Sequence, residues 1–546
     1  MRLTERLVGL ETEYAFTVLS RQGEPLPRDA VVGRLMEVAR SDLPHLPDPD
    51  CQGLFLQNGA RLYIDAGLHP EFATPECPNP WDVVRYAMAG ERILERLVER
   101  LAARLPDVRD AMLFRCNVDY GGTHATWGCH ESYLHRADPA EMRHQIVPHL
   151  VSRVIYTGAG GFDPRSAGVR FGLSPRLLAH VWAEVSDCST DRRGIYHTKD
   201  EPLCSGGYHR LHVLCGESLC SEMAAFLKAA ATALIVAMVE GGLRPGAEVQ
   251  LSNPVEAMHQ VAADVTCRAA LQLADGRRTT ALETQRHYLE HAEANVGKPF
   301  MPPWTEHVLP HWRAILDRLE NGAPSSVGRA LDWAIKRELY DHQLERHGLT
   351  WESASHWTEV LAGLCEALRQ TPYRNQQVAV EFVLSQDSPI ASAVEELTPF
   401  LSEHGLSWDG LKPLVDLRRE LFEIDTRFGE VGPKGVFRAL DAAGVLEHHV
   451  AGVDNVEHAM DHPPATGRAR LRGDCVKRLS GCGDATRYLC NWALVCDRQK
   501  ARIVDLSDPW ETRDSWQPIP RRLRMIHLGG HVADLLAMCL DQQPAP

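Results

Sequence analysis

The sequence predicts an α+β protein with a small additional domain at its C-terminal end. Three observations lead there. Short strand-like runs mix with a few helices through the first third of the chain. Helical spacing takes over beyond about residue 280, and a tail with strand-like runs follows Pro463-Pro464. Strands gathered early and helices late are an α+β pattern rather than a regular βαβ repeat.

Leu7–Val18 reads as the first strand, with side chains alternating faces at period two. Leu10, Thr12, Tyr14 and Phe16 take one face, while Glu11 and Glu13 share the other, roughly 7 Å apart along the strand. Ala30–Ser41 follows as a helix. Leu54–Gln57 and Arg61–Asp65 form a predicted hairpin turning at Asn58-Gly59, because Asn-Gly between apolar runs supplies the left-handed residues of a tight turn. Trp81–Leu105 is an amphipathic helix, with Val84, Met88, Ile93, Leu94, Leu97 and Leu101 near helical spacing. Ala111–Val118 and Ser132–His135 read as strands around Tyr120-Gly121-Gly122. Tyr208–Cys215 is a strand feeding the long helix Ser221–Glu240, which Ser221-Glu222 opens. Thr284–Asn295, His307–Leu319 and Val327–His347 carry apolar residues three and four apart. Residues 352–410 are a further, mostly helical segment broken at Pro372, Pro389 and Pro399. In the tail, Tyr488–Cys496 and Ala501–Leu506 read as strands.

At 546 residues the chain is long enough for a large core and two or more domains. Its 44% hydrophobic and 24% charged content is that of a soluble globular protein. A net charge of −15 argues against non-specific nucleic-acid binding, which needs an excess of Lys and Arg. Met1-Arg2-Leu3-Thr4-Glu5-Arg6 lacks an apolar core, so no signal peptide is expected. The most apolar stretch, Ala224 to Val239, is interrupted by Lys228, and its uncharged remainder falls short of the ~20 residues a bilayer span needs. A buried core helix is expected there, with no membrane role. The 15 cysteines contain no CxxC pair, and Cys475, Cys482, Cys490 and Cys496 lack zinc-site spacing. Free thiols in a reducing cytoplasm are the expectation.

Glu11 and Glu13 are the first candidates for chemistry. Carboxylates held so close repel unless a positive group lies between them, and hard cations such as Mg²⁺ take oxygen ligands of this kind. On the second strand Arg61, Tyr63 and Asp65 share one face. That is an odd set for a core but a usable one for a site: Arg61 for phosphate oxygens, Asp65 as a proton acceptor. Glu71, after His69-Pro70, adds a carboxylate. In Gly128-Cys129-His130-Glu131, adjacent residues of a strand point to opposite faces, so at most one of His130 and Glu131 is expected in the site, and the carboxylate Glu131 is preferred. Asn117 and Asp119 belong to the same constellation and read equally as site residues or as loop caps. Arg210, within His209-Arg210-Leu211-His212-Val213, is either solvated or a clamp for an anion. Arg468, Arg470 and Arg472 alternate, so a strand there would align three guanidinium groups. No P-loop, G-x-S-x-G elbow or H-E-x-x-H motif occurs. The run Gly158-Ala159-Gly160-Gly161 is read as a turn.

These motifs resemble the Pup ligase/depupylase family. The matching runs are Gly9–Tyr14, Asn58–Asp65, His69–Cys77, Gly128–Glu131, Arg210–Val213, Leu331–Arg337 and Pro463–Gly473, in the family's order and over most of the chain. The resemblance implies a glutamine synthetase-like fold: a curved, largely antiparallel sheet forming a cradle packed with helices, over residues 1–470, beside a small C-terminal domain, 471–546. It implies ATP and Mg²⁺ as cofactors. Its partners would be a small ubiquitin-like modifier ending in Glu or Gln and lysine-bearing target proteins. A ligase of the family phosphorylates the modifier's C-terminal glutamate side chain, and the target lysine then attacks to give an isopeptide bond. Position by position, Glu11, Tyr63 and Glu71 match magnesium ligands, with Glu13 a helper on the same face. Asp65 falls on the catalytic aspartate, Arg61 and Thr74 on ATP contacts, and Trp492 on a nucleotide-contacting tryptophan. Arg210 and Glu131 are second-tier candidates.

A depupylase of the family carries a long loop between the first strand and the strand of the aspartate. Here only about fifty residues separate Glu13 from Asp65, which favours the ligase. The alternative is a hydrolase of such isopeptides, or a deamidase, with nucleotide retained as cofactor. Two departures stand out. His197-Thr198-Lys199-Asp200-Glu201-Pro202 replaces an Asn-Thr-Arg-Asp-Glu-Pro run, and a Lys cannot reproduce a bidentate Arg clamp. Residues 352–410 read as an insertion before Ile424-Asp425.

Overall fold

The single strand read at the start of the chain is two. Val8–Glu13 (β1) and Ala15–Ser20 (β2) belong to different sheets. The break is at Tyr14, which is buried and whose N–H bonds to Pro70 O at 3.0 Å. The structure, a computed structural model, describes residues 6–49, 52–123, 125–186, 193–197, 203–322, 324–395, 408–482 and 487–518.

Further strands follow: His45–Pro47 (β3), Leu54–Leu56 (β4), Arg61–Ile64 (β5), Pro70–Ala73 (β6), Val108–Phe114 (β7), Cys129–His135 (β8) and the short Gly161–Phe162 (β9). Phe171–Gly172 (β10) pairs with β9. Val181–Ser186 (β11), Arg193–His197 (β12) and His209–Val213 (β13) complete a nine-stranded sheet in the order β11-β12-β13-β8-β1-β6-β5-β4-β3. Every neighbouring pair in it is antiparallel except β11 with β12. The largely antiparallel α+β architecture expected from the sequence is therefore present. The β4–β5 hairpin turns at Asn58-Gly59 as read. Gly59 has φ +83°, and a Cβ there would lie 2.8 Å from Ala469 O.

One face of this sheet is apolar. Leu10, Leu62, Phe72, Tyr133 and Leu211 are buried in a single core with the helices Pro80–Arg104 and Glu222–Glu240. The first of these helices starts where Asn79 caps Asp82 N–H and proline takes the first turn. The second is capped by Ser221 and is apolar on all sides because it is buried on all sides. By length and composition it could cross a bilayer, but 94% of its most apolar window lies inside the protein.

The second half is helical, with Ala281–Ala294, Thr305–Asn321 and Asp332–Arg346 close to the expected spans. The last begins five residues late, because Pro324–Val327 forms a 3₁₀ turn and Asp332 is spent accepting Cys220 N–H and Ser221 N–H. The helices Trp351–Arg369, Gln376–Leu384 and Pro389–Glu395 form a satellite packed on Trp408–Phe428, with Leu361, Leu364, Val383 and Leu414 as its own core.

Arg468, Arg470 and Arg472 do not lie on a strand. They sit on the helix Gly467–Leu479, so Arg468 and Arg472 are one turn apart and buried while Arg470 faces out. That helix runs through the 470/471 boundary. Besides the short pair Leu271–Gln272 (β14) and Arg278–Thr279 (β15), the tail strands are Tyr488–Cys490 (β16), Leu494–Asp497 (β17), Arg502–Asp505 (β18) and Trp516–Pro518 (β19). The run 488–496, read as one strand, is a hairpin because Asn491 Oδ1 accepts Ala493 N–H and Leu494 N–H and folds the chain back. Its core joins Leu471, Cys475 and Val495 to Leu46 and Phe55 of the main sheet.

Candidate functional site

Register puts the acids together. Glu13 stands directly opposite Glu71, Tyr63 opposite Glu71 on the other side, and Glu11 opposite His130. Ser132, which shares the His130 face, is opposite His212. The polar face of the sheet thus carries Tyr63, Glu71, Glu11, Glu13, His130, Arg210 and His212 across five adjacent strands.

The choice of Glu131 over His130 is overturned. Glu131 pairs with Leu10, on the core face, and is fully buried. Arg153 makes a buried ion pair with it at 2.5 Å, and Tyr133 Oη donates to it at 2.5 Å. Burial would raise its pKa, but Arg153 and then Lys228 outweigh that and hold it down. It is a core ion pair, and the neighbouring His130 faces the site. Asn117 and Asp119 cap loops: Asn117 brackets Ser218, and Asp119 accepts Gly121 N–H and Thr123 N–H.

Electrostatics divide the acids. Burial, then the charges of Glu11 and Glu13, push the Glu71 carboxyl well above its usual range. Burial and the charges of Glu71 and Glu11 likewise raise the Tyr63 phenol. Glu11 goes the other way: burial raises it, but His130, His212 and Arg210 together pull it below the ordinary carboxylate value. His130 Nδ1 is 3.9 Å from Glu11 Oε2. Glu13 accepts Gly128 N–H at 2.7 Å.

This donor set suits a divalent cation. Ligand atoms of Glu11, His130 and His212, and those of Glu13, Glu71 and His130, each lie within 4.8 Å of one another. The buried Nε2 of His212 has no hydrogen-bond partner among the described residues. The carboxylate oxygens of Glu11, Glu13 and Glu71 are the ligand type that Mg²⁺ takes together with phosphate oxygens, whereas the imidazoles of His130 and His212 are not its usual ligands.

At one end of the acid row, Glu11, Thr74, Arg210 and Trp492 line a common cavity with Gly9 and Arg468. Thr74 Oγ1 accepts Leu10 N–H at 3.0 Å, fixing the strand edge there. Trp492 sits on the β16–β17 turn, edge-on to Phe55 with centroids 5.1 Å apart, and Arg472 lies over its ring at 4.7 Å. Arg61 is held by Asp48 at 2.5 Å and lies 4.2 Å above the Tyr63 ring, outside that cavity. At the other end is Asp65. His69 N–H bonds to its Oδ1 at 2.6 Å, and His69 Nδ1 to its Oδ2 at 3.0 Å. Burial raises Asp65, but the two bonds from His69 more than compensate and keep it ionised.

Sequence reasoning weighed His130 but preferred Glu131, and it missed His212 and Glu76. Glu76 binds Arg468 at 2.6 Å and also Arg472, which ties the C-terminal helix to the sheet beside the cavity. The spacing 468/472 was its available signal, at one helical turn. Of the His197–Pro202 run, residues 198–202 lie outside the described residues.

A family model described as Pup-ligase protein matches residues 6–360 and 394–496. The unmatched 361–393 falls within the satellite helices. The Pup--protein ligase of Xylanimonas cellulosilytica is 32% identical over 525 residues, covering 94% of this chain and 98% of that protein. The Pup--protein ligase of Paenarthrobacter aurescens is 30% identical with the same coverage. Among solved structures, the complex between prokaryotic ubiquitin-like protein Pup and its ligase PafA matches with a TM-score of 0.72 at 24% identity, over 99% of this chain and 94% of that one. At that identity the likeness is one of fold.

Proposed function

The chain belongs to the Pup-ligase family, and from that premise we propose that it is an ATP-dependent ligase. It joins the C-terminal glutamate side chain of a small ubiquitin-like modifier to lysines of target proteins. One observation carries the reading: a single face of β1 leads from the Trp492 cavity at Glu11, past the facing carboxylates Glu13 and Glu71, to the Asp65 end.

The cavity is the place for the nucleotide. Trp492 offers an aromatic surface for a base, and Thr74 and Arg210 offer polar contacts. Arg61 serves phosphate oxygens once it exchanges Asp48 for them. Glu11, Tyr63 and Glu71, helped by Glu13, would hold Mg²⁺, which would supply neutralisation of phosphate charge. In the first step an oxygen of the modifier's γ-carboxylate bonds to the γ-phosphorus, and the bond from phosphorus to ADP breaks. In the second, Asp65 takes a proton from the lysine amine, whose nitrogen lone pair attacks the acyl carbon. Inorganic phosphate leaves with the electron pair of the broken C–O bond. The free thiols of the described cysteines support a cytoplasmic location.

The test supplies Mg·ATP, a glutamate-ending modifier and a lysine-bearing target. Conjugate should form with one ATP consumed per bond, and Asp65→Asn should lower its rate by about 10²–10⁴-fold. Release of modifier from a ready-made conjugate without ATP turnover, and no conjugate formed, would establish the hydrolase instead.

A further inference from the structure

We propose that His69 is a positioning residue for Asp65, seated by Gly67 and Trp127, and that it matters to amine attack rather than to phosphoryl transfer. The proposal rests on the ligase reading.

His69 grips the Asp65 carboxylate twice, through its backbone N–H to one oxygen and its ring to the other. The intervening turn is closed by Asp65 N–H to His69 O at 3.0 Å and Leu68 N–H to Asp65 O at 3.1 Å. Both carboxylate oxygens are therefore fixed by one residue, and the carboxylate plane cannot rotate. The ring fits only because residue 67 has no side chain. A Cβ on Gly67 would lie 2.6 Å from His69 Cε1 and 2.8 Å from Nδ1, and 3.3 Å from Asp65 Oδ2. Leu68 pays for the same tight turn with a left-handed backbone, φ 59°.

Trp127 stands edge-on to the imidazole, with centroids 5.4 Å apart. Its neighbour Gly128 donates its N–H to Glu13, so one short segment sets both the acid row and the histidine. Ligand atoms of Glu13, Asp65 and His69 lie within 4.8 Å of one another. His69 Nε2 and Trp127 Nε1 are both buried, and neither has a hydrogen-bond partner among the described residues. Buried polar atoms left this way call for a polar group beyond the described residues. An amine or a water arriving beside Asp65 meets that need.

A base that must strip a proton from lysine depends on its orientation. Hydroxylamine is unprotonated at neutral pH and traps an acyl phosphate without that help. The two nucleophiles therefore separate positioning of Asp65 from everything before it. His69→Ala should lower conjugation to lysine by about 10–100-fold, with KM for ATP and modifier within about twofold, while hydroxamate formation stays near wild type. His69→Asn should restore much of the loss, because its amide N–H replaces that of Nδ1. Gly67→Ala, which keeps the imidazole but displaces it, should copy His69→Ala. Conjugation at wild-type rate in both His69→Ala and Gly67→Ala overturns the proposal. So does hydroxamate formation falling in step with conjugation, which would mark a structural role. Wild-type protein yielding neither product overturns the ligase reading and the proposal with it.

Discussion

Glu13 and Glu71 face each other across neighbouring strands, each with its carboxylate on the polar side of the sheet. Like charges directly opposed in a sheet are destabilising, so the pair is a cost that a bound cation would remove. Mg·ADP at about 100 times its dissociation constant should stabilise the fold by about 2.7 kcal/mol. Differential scanning calorimetry should register a rise in Tm with Mg·ADP that Glu71→Gln largely abolishes. The unliganded Glu71→Gln protein should melt no lower than wild type. A variant that melts lower and still responds to Mg·ADP would remove Glu71 from the cation site.

The acid row was legible because it lies in local pattern. Period two places Glu11 with Glu13 and Tyr63 with Arg61, and Asn58-Gly59 announces the hairpin that aligns them. The choice between His130 and Glu131 was not legible, because it depends on which residue of β8 stands opposite Glu11. That register is set by non-local pairing, and the cations that neutralise Glu131, Arg153 and Lys228, are remote in sequence. The run Arg468, Arg470, Arg472 is too short to tell period two from period 3.6, since residues 468 and 472 coincide on a face under either. Tyr14 hid the break between β1 and β2 for a similar reason. Its apolar phase is continuous with Leu10 and Thr12, but its backbone turns to bond with Pro70.

Trp492 reaches the cavity from the tail, held against Phe55 and under Arg472. Stacking of a base on an aromatic ring contributes about 1–3 kcal/mol. Trp492→Ala should accordingly weaken ADP binding by about 5–150-fold, measured by isothermal titration, with the turnover number for conjugation reduced much less. Unchanged ADP affinity would place the base elsewhere.

Glu76 joins Arg468 and Arg472 in a mostly buried cluster that fastens the C-terminal helix to the sheet. Burial opposes its ionisation, yet Arg472 and Arg468 bring its pKa down to about 2. A depressed carboxylate contributes its stability above the unfolded value near 4.5 and loses it as pH falls towards 2. Acid should therefore loosen the tail from the sheet within that window. Glu76→Gln should do so at neutral pH, at a cost of about 3–5 kcal/mol, because both guanidinium groups lose their carboxylate and keep carbonyl partners. Hydrogen exchange should then show β16–β18 losing protection while β1 and β6 keep theirs. Equal protection in variant and wild type would contradict the assignment.

His449 forms the opposite kind of link. Its Nδ1 lies 2.9 Å from Glu222 Oε1 and its Nε2 3.0 Å from Asp441 Oδ1, so the imidazolium bridges two acids from different elements. Partial burial disfavours its charge, but Glu222 and then Asp441 more than offset that and raise its pKa above 6.5. The adjacent His448 completes the clamp: its Nδ1 accepts Glu222 N–H, and its Nε2 faces Asp441 at 3.0 Å. With the folded pKa above the unfolded one, the stabilisation is fully present below about pH 6.5 and fades as pH rises through the folded value. His449 is largely exposed, so the effect should be local, centred on the start of the helix Glu222–Glu240 and the segment that carries Val450, whose N–H also binds Glu222. Amide exchange there, corrected for intrinsic rates, should quicken in the wild type as pH rises from 6.5 through the raised folded value. In His449→Gln it should be fast and flat across the same range, with the site residues on β1 unaffected in both. A wild-type profile as flat as the variant's would mean that the bridge does not titrate.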